Sequence, residues 1–187
     1  MATGTREALL QTAETLMRTR GYTAFSYADL ADAVGIRKAS IHHHFPTKEE
    51  LGEVIVETYI ARVSTELERI QTQHRHVMGR LESFFQIFRS STDGGLLPLC
   101  GALAAEVSAL PPNLQRLTHQ FFDMQLTWLT RILKEGINLG EIPQGSGAKE
   151  KAFLLLSLLE GSCFINWATR EDAPLNISVI QVIAQHA

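Results

Sequence analysis

The chain has 187 residues, 45% of them hydrophobic and 20% charged, with 17 Lys and Arg against 20 Asp and Glu for a net charge of −3. That length can bury a proper core in one domain or two small ones, and that charge excludes an overall basic coat for nucleic acid while leaving room for a local DNA surface. Two distant cysteines, Cys100 and Cys163, make no metal-type pair and suit a reducing cytoplasm, and the polar N-terminus lacks the hydrophobic region of a signal peptide.

The spacing predicts a first helix over residues 5–20, with Leu9, Ala13, Leu16 and Met17 as its inward stripe, Thr5 as its cap and Gly21 as its end. Tyr22 and Phe25 then pack into a small helical core. Ser26 caps a second, short helix by accepting a hydrogen bond from its first turn, and Leu30, Ala31 and Val34 share one face of that helix. Gly35 sits at the reversal, where glycine tolerates a left-handed backbone. A third short helix takes Arg37, Lys38, Ala39, Ser40, Ile41, His42, His43 and His44. Ile41 and Phe45 are four apart and face inward, which leaves Arg37, Lys38, Ser40, His42 and His43 outside. Pro46 ends it, and Thr47 with Glu50 forms a capping box for the next helix.

A short helix with a basic N-terminal end, following a glycine turn, has the form of a helix-turn-helix recognition helix. The run Gly35-Ile36-Arg37-Lys38-Ala39-Ser40-Ile41-His42-His43-His44-Phe45-Pro46-Thr47-Lys48-Glu49-Glu50-Leu51 resembles the DNA-binding region of the TetR family of bacterial transcriptional regulators. It departs from the family pattern at Arg37 in place of a small polar cap, at Ala39 in place of glycine, and at His42 and His44 where tyrosine is common. These departures leave the expected fold intact and bear on which DNA sequence is read. The resemblance covers about residues 5–55 closely and the rest only in general form.

The fourth helix is expected from Thr47 to about Gln73, with Leu51, Val54, Ile55, Thr58, Tyr59, Arg62 and Val63 in helical period. Further helices are expected over 77–91, 99–110, 113–138 and 148–169. Residues 92–95 form a loop, Pro111 and Pro112 stop one helix, and a connection rich in Gly and Ser runs from 140 to 147. The run 152–168, broken by Glu160 and Asn166, is too short and interrupted for a membrane span and reads as a buried helix. The end of the chain is ambiguous, since Ile177, Val179, Ile180, Val182 and Ile183 favour a strand by propensity. With no strand partner elsewhere, a helix opened by Asp172 and Pro174 is expected there.

The resemblance implies an all-α chain: a three-helix helix-turn-helix DNA-binding domain over 1–48 and a helical ligand-binding and dimerisation domain over 49–187. By position on the helix and by resemblance, Arg37, Lys38, Ser40 and His43 are expected at bases or in the groove. The Ala39 methyl is expected near a thymine methyl, and His42, His44 and Lys48 near phosphates. Three consecutive histidines point about 100° apart and cannot converge on one metal ion, and no cofactor is expected.

Aromatics crowd residues 77–168. The resemblance implies an apolar cavity for a small, largely apolar inducer, with Phe84, Phe88, Cys100, Phe121, Met124, Trp128, Phe164 and Trp167 as candidate lining. Arg116, His119, Glu160 and Asn166 are polar groups placed to orient a ligand. Leu155, Leu158, Leu159, Val179, Ile180 and Ile183 are expected at a homodimer seam, which would set two recognition helices on a palindromic operator. The implied function is a cytoplasmic repressor, held at the nucleoid when bound to DNA and released by its inducer. One alternative is a regulator switched through the Cys100 thiol, since a helix N-terminus activates a thiol. A remoter one is a helical carrier or enzyme, against which stands the lack of a nucleophile–base pairing, a metal-ligand spacing or a phosphate loop.

Overall fold

The computed structural model describes residues 2–91, 95–145, 147–171 and 175–186. Among these residues the chain is helical without a strand. The helices are α1 (Ala2–Arg20), α2 (Tyr27–Val34), α3 (Lys38–His44), α4 (Lys48–Gln73), α5 (Val77–Ser91), α6 (Leu99–Ala105), α7 (Pro112–Asn138), α8 (Ala148–Thr169) and α9 (Ser178–His186), with a 3₁₀ turn at Val107–Ala109. The final segment is therefore a helix in spite of its β-branched residues. The expected helix over 99–110 stops at Ala105, and α1 begins before Thr5, which lies inside the helix rather than capping it. The loop expected at 92–95 lies, but for Gly95, outside the described residues, as do Asp172 and Pro174.

Packing groups the chain into two compact units, one of residues 1–61 and 96–121, the other of residues 62–95 and 122–187. These units record which helices share a core.

In the first unit Leu9, Ala13, Leu16 and Met17 of α1 are buried, as their spacing predicts, with Phe25, Leu30, Ile41, Phe45, Leu51, Ile55, Val56 and Tyr59. Thr58 and Arg62 of the expected α4 stripe are exposed, and Val56 takes a place in the core that was not expected for it. Gly52 is needed for close approach: an added Cβ would lie 3.1 Å from both Leu114 Cδ1 and Tyr22 Cε2. Two long-range polar contacts tie residues 96–110 to the start of the chain. Arg18 Nε donates to the Leu97 carbonyl at 2.7 Å. The Glu106 carboxylate accepts from the Tyr22 N–H, the Thr23 N–H and the Thr23 hydroxyl.

The second unit is built on a cluster that includes Leu67, Ile70, Val77, Leu81, Phe84, Phe85, Trp128, Ile132, Leu155, Leu156, Leu159 and Ile180. Two buried cations are committed to structure. Arg80 donates to the His74 carbonyl and to Glu135, both at 2.8 Å. Lys151, fully buried, donates to the Ala184 carbonyl at 3.0 Å, satisfying the exposed acceptor end of α9. By length and composition alone α8 is apolar enough to cross a membrane. One side of it, Ala152, Leu155, Leu156 and Leu159, is nevertheless packed in this core, and Lys151 and Glu160 interrupt its apolar length.

Candidate nucleic-acid interface

Local chemistry sets the two short helices. Ser26 Oγ accepts from the Ala28 and Asp29 N–H groups, and Asp29 returns a bond to the Ser26 N–H, a complete capping box. The Asp29 carboxyl is held below its usual range, first by the Ser26 hydroxyl and then by the Ser26 N–H. Gly35 closes α2 at φ 75°, and both its own N–H and that of Ile36 donate to the Ala31 carbonyl at 2.9 and 3.0 Å. These two hydrogen bonds to one carbonyl, with the left-handed backbone at Gly35, turn the chain sharply into α3.

Ile41 is the buried residue of α3, and Phe45 anchors its end. Tyr27 runs beneath, its hydroxyl donating to the Phe45 carbonyl at 3.0 Å, and burial pushes that hydroxyl up to about 12. Arg6 lies over the Phe45 ring at 5.1 Å. With its inner face fixed in this way, α3 turns Lys38, Ala39, Ser40, His42 and His43 outward beside an exposed Arg37, while His44 is half-buried. His42 Nδ1 lies 3.1 Å from the Pro46 carbonyl, and its ring sits 5.0 Å from that of Tyr27. His43 and His44 have ring centroids 5.5 Å apart.

Lys48 is a correction. Its ammonium points inward, donating to the Phe25 carbonyl and lying 4.5 and 4.4 Å from the Tyr22 and Phe25 ring centroids. Burial lowers its pKa. Two aromatic faces and a carbonyl replace the phosphate expected of it.

The expected lining residues fall in both packing units. Cys100 and Phe121 belong to the first unit, where Cys100 is fully buried and Phe121 lies 5.3 Å from Tyr59. Phe84, Phe88, Met124, Trp128, Phe164 and Trp167 belong to the second. There Phe84 stacks on Trp128 at 5.6 Å, Met124 packs against the core, Phe164 is half-buried, and Trp167 is exposed.

The expected dimer residues also need correcting. Leu155, Leu159 and Ile180 are buried within the chain itself and have no surface to offer a partner, while Leu158, Val179 and Ile183 are half-buried. Among the described residues of α8 and α9, the exposed large apolar side chains are instead Phe153, Leu154, Ile165 and Trp167 on α8 and Val182 on α9. An apolar stretch this uniform carries no phase, so spacing could not say which side turns inward. Two further groups could not be found by local pattern. Glu106 acts 83 and 84 residues away, and the enclosure of Glu160 depends on residues packed around α8.

Comparison with known proteins matches residues 9–55 to the model described as bacterial regulatory proteins, tetR family. A relative from Photobacterium profundum, named nucleoid occlusion factor SlmA, is 31% identical over 138 residues, 71% of this chain and 68% of its own length. The HTH-type transcriptional repressor KstR2 of Rhodococcus jostii is 40% identical over 57 residues, 30% of this chain and 28% of its own. Among solved structures, a TetR-family transcriptional regulator from Agrobacterium tumefaciens superposes with a TM-score of 0.85 at 26% identity, covering 98% of this chain and 95% of that one.

Proposed function

The chain belongs to the TetR family of bacterial regulatory proteins, and from that premise we propose that it is a homodimeric transcriptional repressor released from a palindromic operator by a small molecule. The observation that carries this reading is the outward face of α3, where Arg37, Lys38, Ala39, Ser40 and His43 are exposed over an anchored Ile41 and Phe45. Arg37 and Lys38 suit guanine edges, each good pairing giving about 1–3 kcal/mol of discrimination. His42 and His44 flank them as phosphate contacts, without Lys48. The protein works in the bacterial cytoplasm and lies at the nucleoid when bound to DNA.

Fluorescence anisotropy with DNA flanking the gene tests this reading. Lys38→Ala is expected to weaken the specific complex roughly 10- to 100-fold, as loss of a base contact does. If the variant matches the wild type, the α3 reading falls.

A two-fold dimer would set two α3 helices about 34 Å apart, one turn of DNA. Phe153, Leu154 and Ile165 share the exposed side of α8 by helical spacing with Gly161, where an added Cβ would meet nothing. That face suits close approach of a second α8. Ile165→Asp is expected to give a monomer in sedimentation and to lose operator binding at concentrations where the wild type is saturated. An unchanged dimer would place the seam elsewhere.

Release requires that the inducer bind the form of the protein that does not hold DNA more tightly than the form that does. Because α4 is one helix with residues in both packing units, a shift of residues 62–73 carries to residues 48–61. Enclosure of Cys100 disfavours the thiol-switched alternative, since a reagent reaches that sulfur only after local opening. A second reading has one observation behind it: the relative named for nucleoid occlusion matches over most of this chain, whereas the named repressor matches over less than a third. A DNA-binding protein of that kind without an inducer would show operator affinity indifferent to every small molecule tried.

A further inference from the structure

The enclosed polar groups of the second unit are out of balance. Trp128 Nε1 and Gln125 Nε2 are shut off from solvent with no acceptor, and both carboxylate oxygens of Glu160 are shut off with no donor. Gln125 and Trp128 stand three residues apart on α7 and so share a face. Trp128 stacks on Phe84 and belongs to the same buried cluster as Leu156 and Leu159, which precede Glu160 on α8. Cys163 and Phe164 follow Glu160 by about one turn and so share its side of α8. The two buried cations described above do not serve it, being committed to Glu135 and to the carbonyl end of α9.

An enclosed carboxylate without a donor is among the least favourable groups a fold can hold, and native structures keep such groups where something completes them. The second unit carries ten cationic and eleven anionic side chains, a net −1 with Glu160 counted, so any preference for a cation rests on that carboxylate rather than on the charge of the unit.

Resting on the ligand-responsive reading above, we infer that the second unit takes an organic cation: an ammonium or amidinium group set against Glu160, with an aromatic or apolar body against Phe164, one turn further along α8. A neutral molecule would leave the carboxylate uncompleted, and an anion would oppose it.

The full-length protein is titrated with benzyltrimethylammonium and with its neutral carbon isostere, neopentylbenzene, and tryptophan fluorescence is followed. The ammonium probe is expected to bind at least tenfold more tightly than the isostere. E160Q should remove that preference while keeping the dimer and its operator affinity. Equal affinities, no binding of the ammonium probe, or a preference that survives E160Q would overturn the inference. Dissociation of the E160Q dimer would overturn it too, by assigning the carboxylate to the contact between copies. The two readings fail separately. Operator release by the neutral probe alone leaves inducer control standing and removes the cation site. Preferential binding of the ammonium probe with no change in operator affinity does the reverse.

Discussion

Glu160→Gln should stabilise the protein at pH 8 by about 3 kcal/mol and leave its stability nearly unchanged at pH 4. Burial pushes the Glu160 carboxyl up from the ordinary glutamate value to about 7. Between roughly pH 4.5 and 7 the folded chain therefore holds a proton that the unfolded chain has released. Stability tied to this group is complete below that window and falls as pH rises through it. Above about 7 the full cost of an enclosed charge is present. A tenfold difference in proton affinity between the folded and unfolded chain is worth about 1.4 kcal/mol, which gives the figure above. Glutamine keeps the shape and removes the charge. Urea unfolding of both proteins at pH 4 and pH 8, at one fixed protein concentration, measures the difference. An equal gap at the two pH values would show that the carboxylate is solvated or paired after all. The same cost is what a bound cation would offset, so a cationic ligand should raise the wild-type stability at pH 8 and leave that of the variant unmoved.

The second large effect is expected at Glu106. Its carboxylate sits over the turn after α1 and accepts from the Tyr22 N–H, the Thr23 N–H and the Thr23 hydroxyl. The fit is close: Gly21 has φ 89°, and an added Cβ there would stand 3.0 Å from Glu106 Oε1. Bonds to a charged acceptor are worth more than neutral ones, but this site is only partly buried. Glu106→Ala should therefore cost about 2–3 kcal/mol, roughly 5–10 °C in melting temperature for a chain of this size. Glu106→Gln should fall between, since an amide oxygen can still accept. The carboxylate also steadies the surroundings of Lys48, whose ammonium it attracts. Together with Glu49 and Glu53, and with burial as the main cause, it pushes the Tyr22 hydroxyl up to about 12. Loosening this turn frees Tyr22 and Phe25, so operator affinity should drop along with the melting temperature. A melting temperature unchanged in the alanine variant would show that the contact contributes nothing.

The helix-turn-helix was legible in the sequence because its determinants act within a few residues. Ser26 with Asp29, Gly35 at the reversal, Ile41 with Phe45, and Pro46 each do their work over one helical turn, where the order of side chains is itself the geometry. The same holds for the bounds of α5 and α8, which come from local stop signals, and for the inward face of α5, whose period is internal to it. The ends of α1 and α6 were less legible: nothing at Thr5 prevents the helix from starting earlier, and a 3₁₀ turn takes up residues that an α-helix could equally have taken.

The order of residues alone thus specified the set of helices and the outward face of α3. It took packing between distant segments to turn Lys48 inward to two aromatic rings, to set Leu155 and Leu159 toward the core and Phe153 and Ile165 away from it, to bring Glu106 to a turn more than 80 residues earlier, and to close Glu160 off from water. A capping or turn interaction is fixed by neighbours along the chain. The buried side of a uniformly apolar helix, and the partner of a long charged side chain, depend instead on which remote segments arrive beside them.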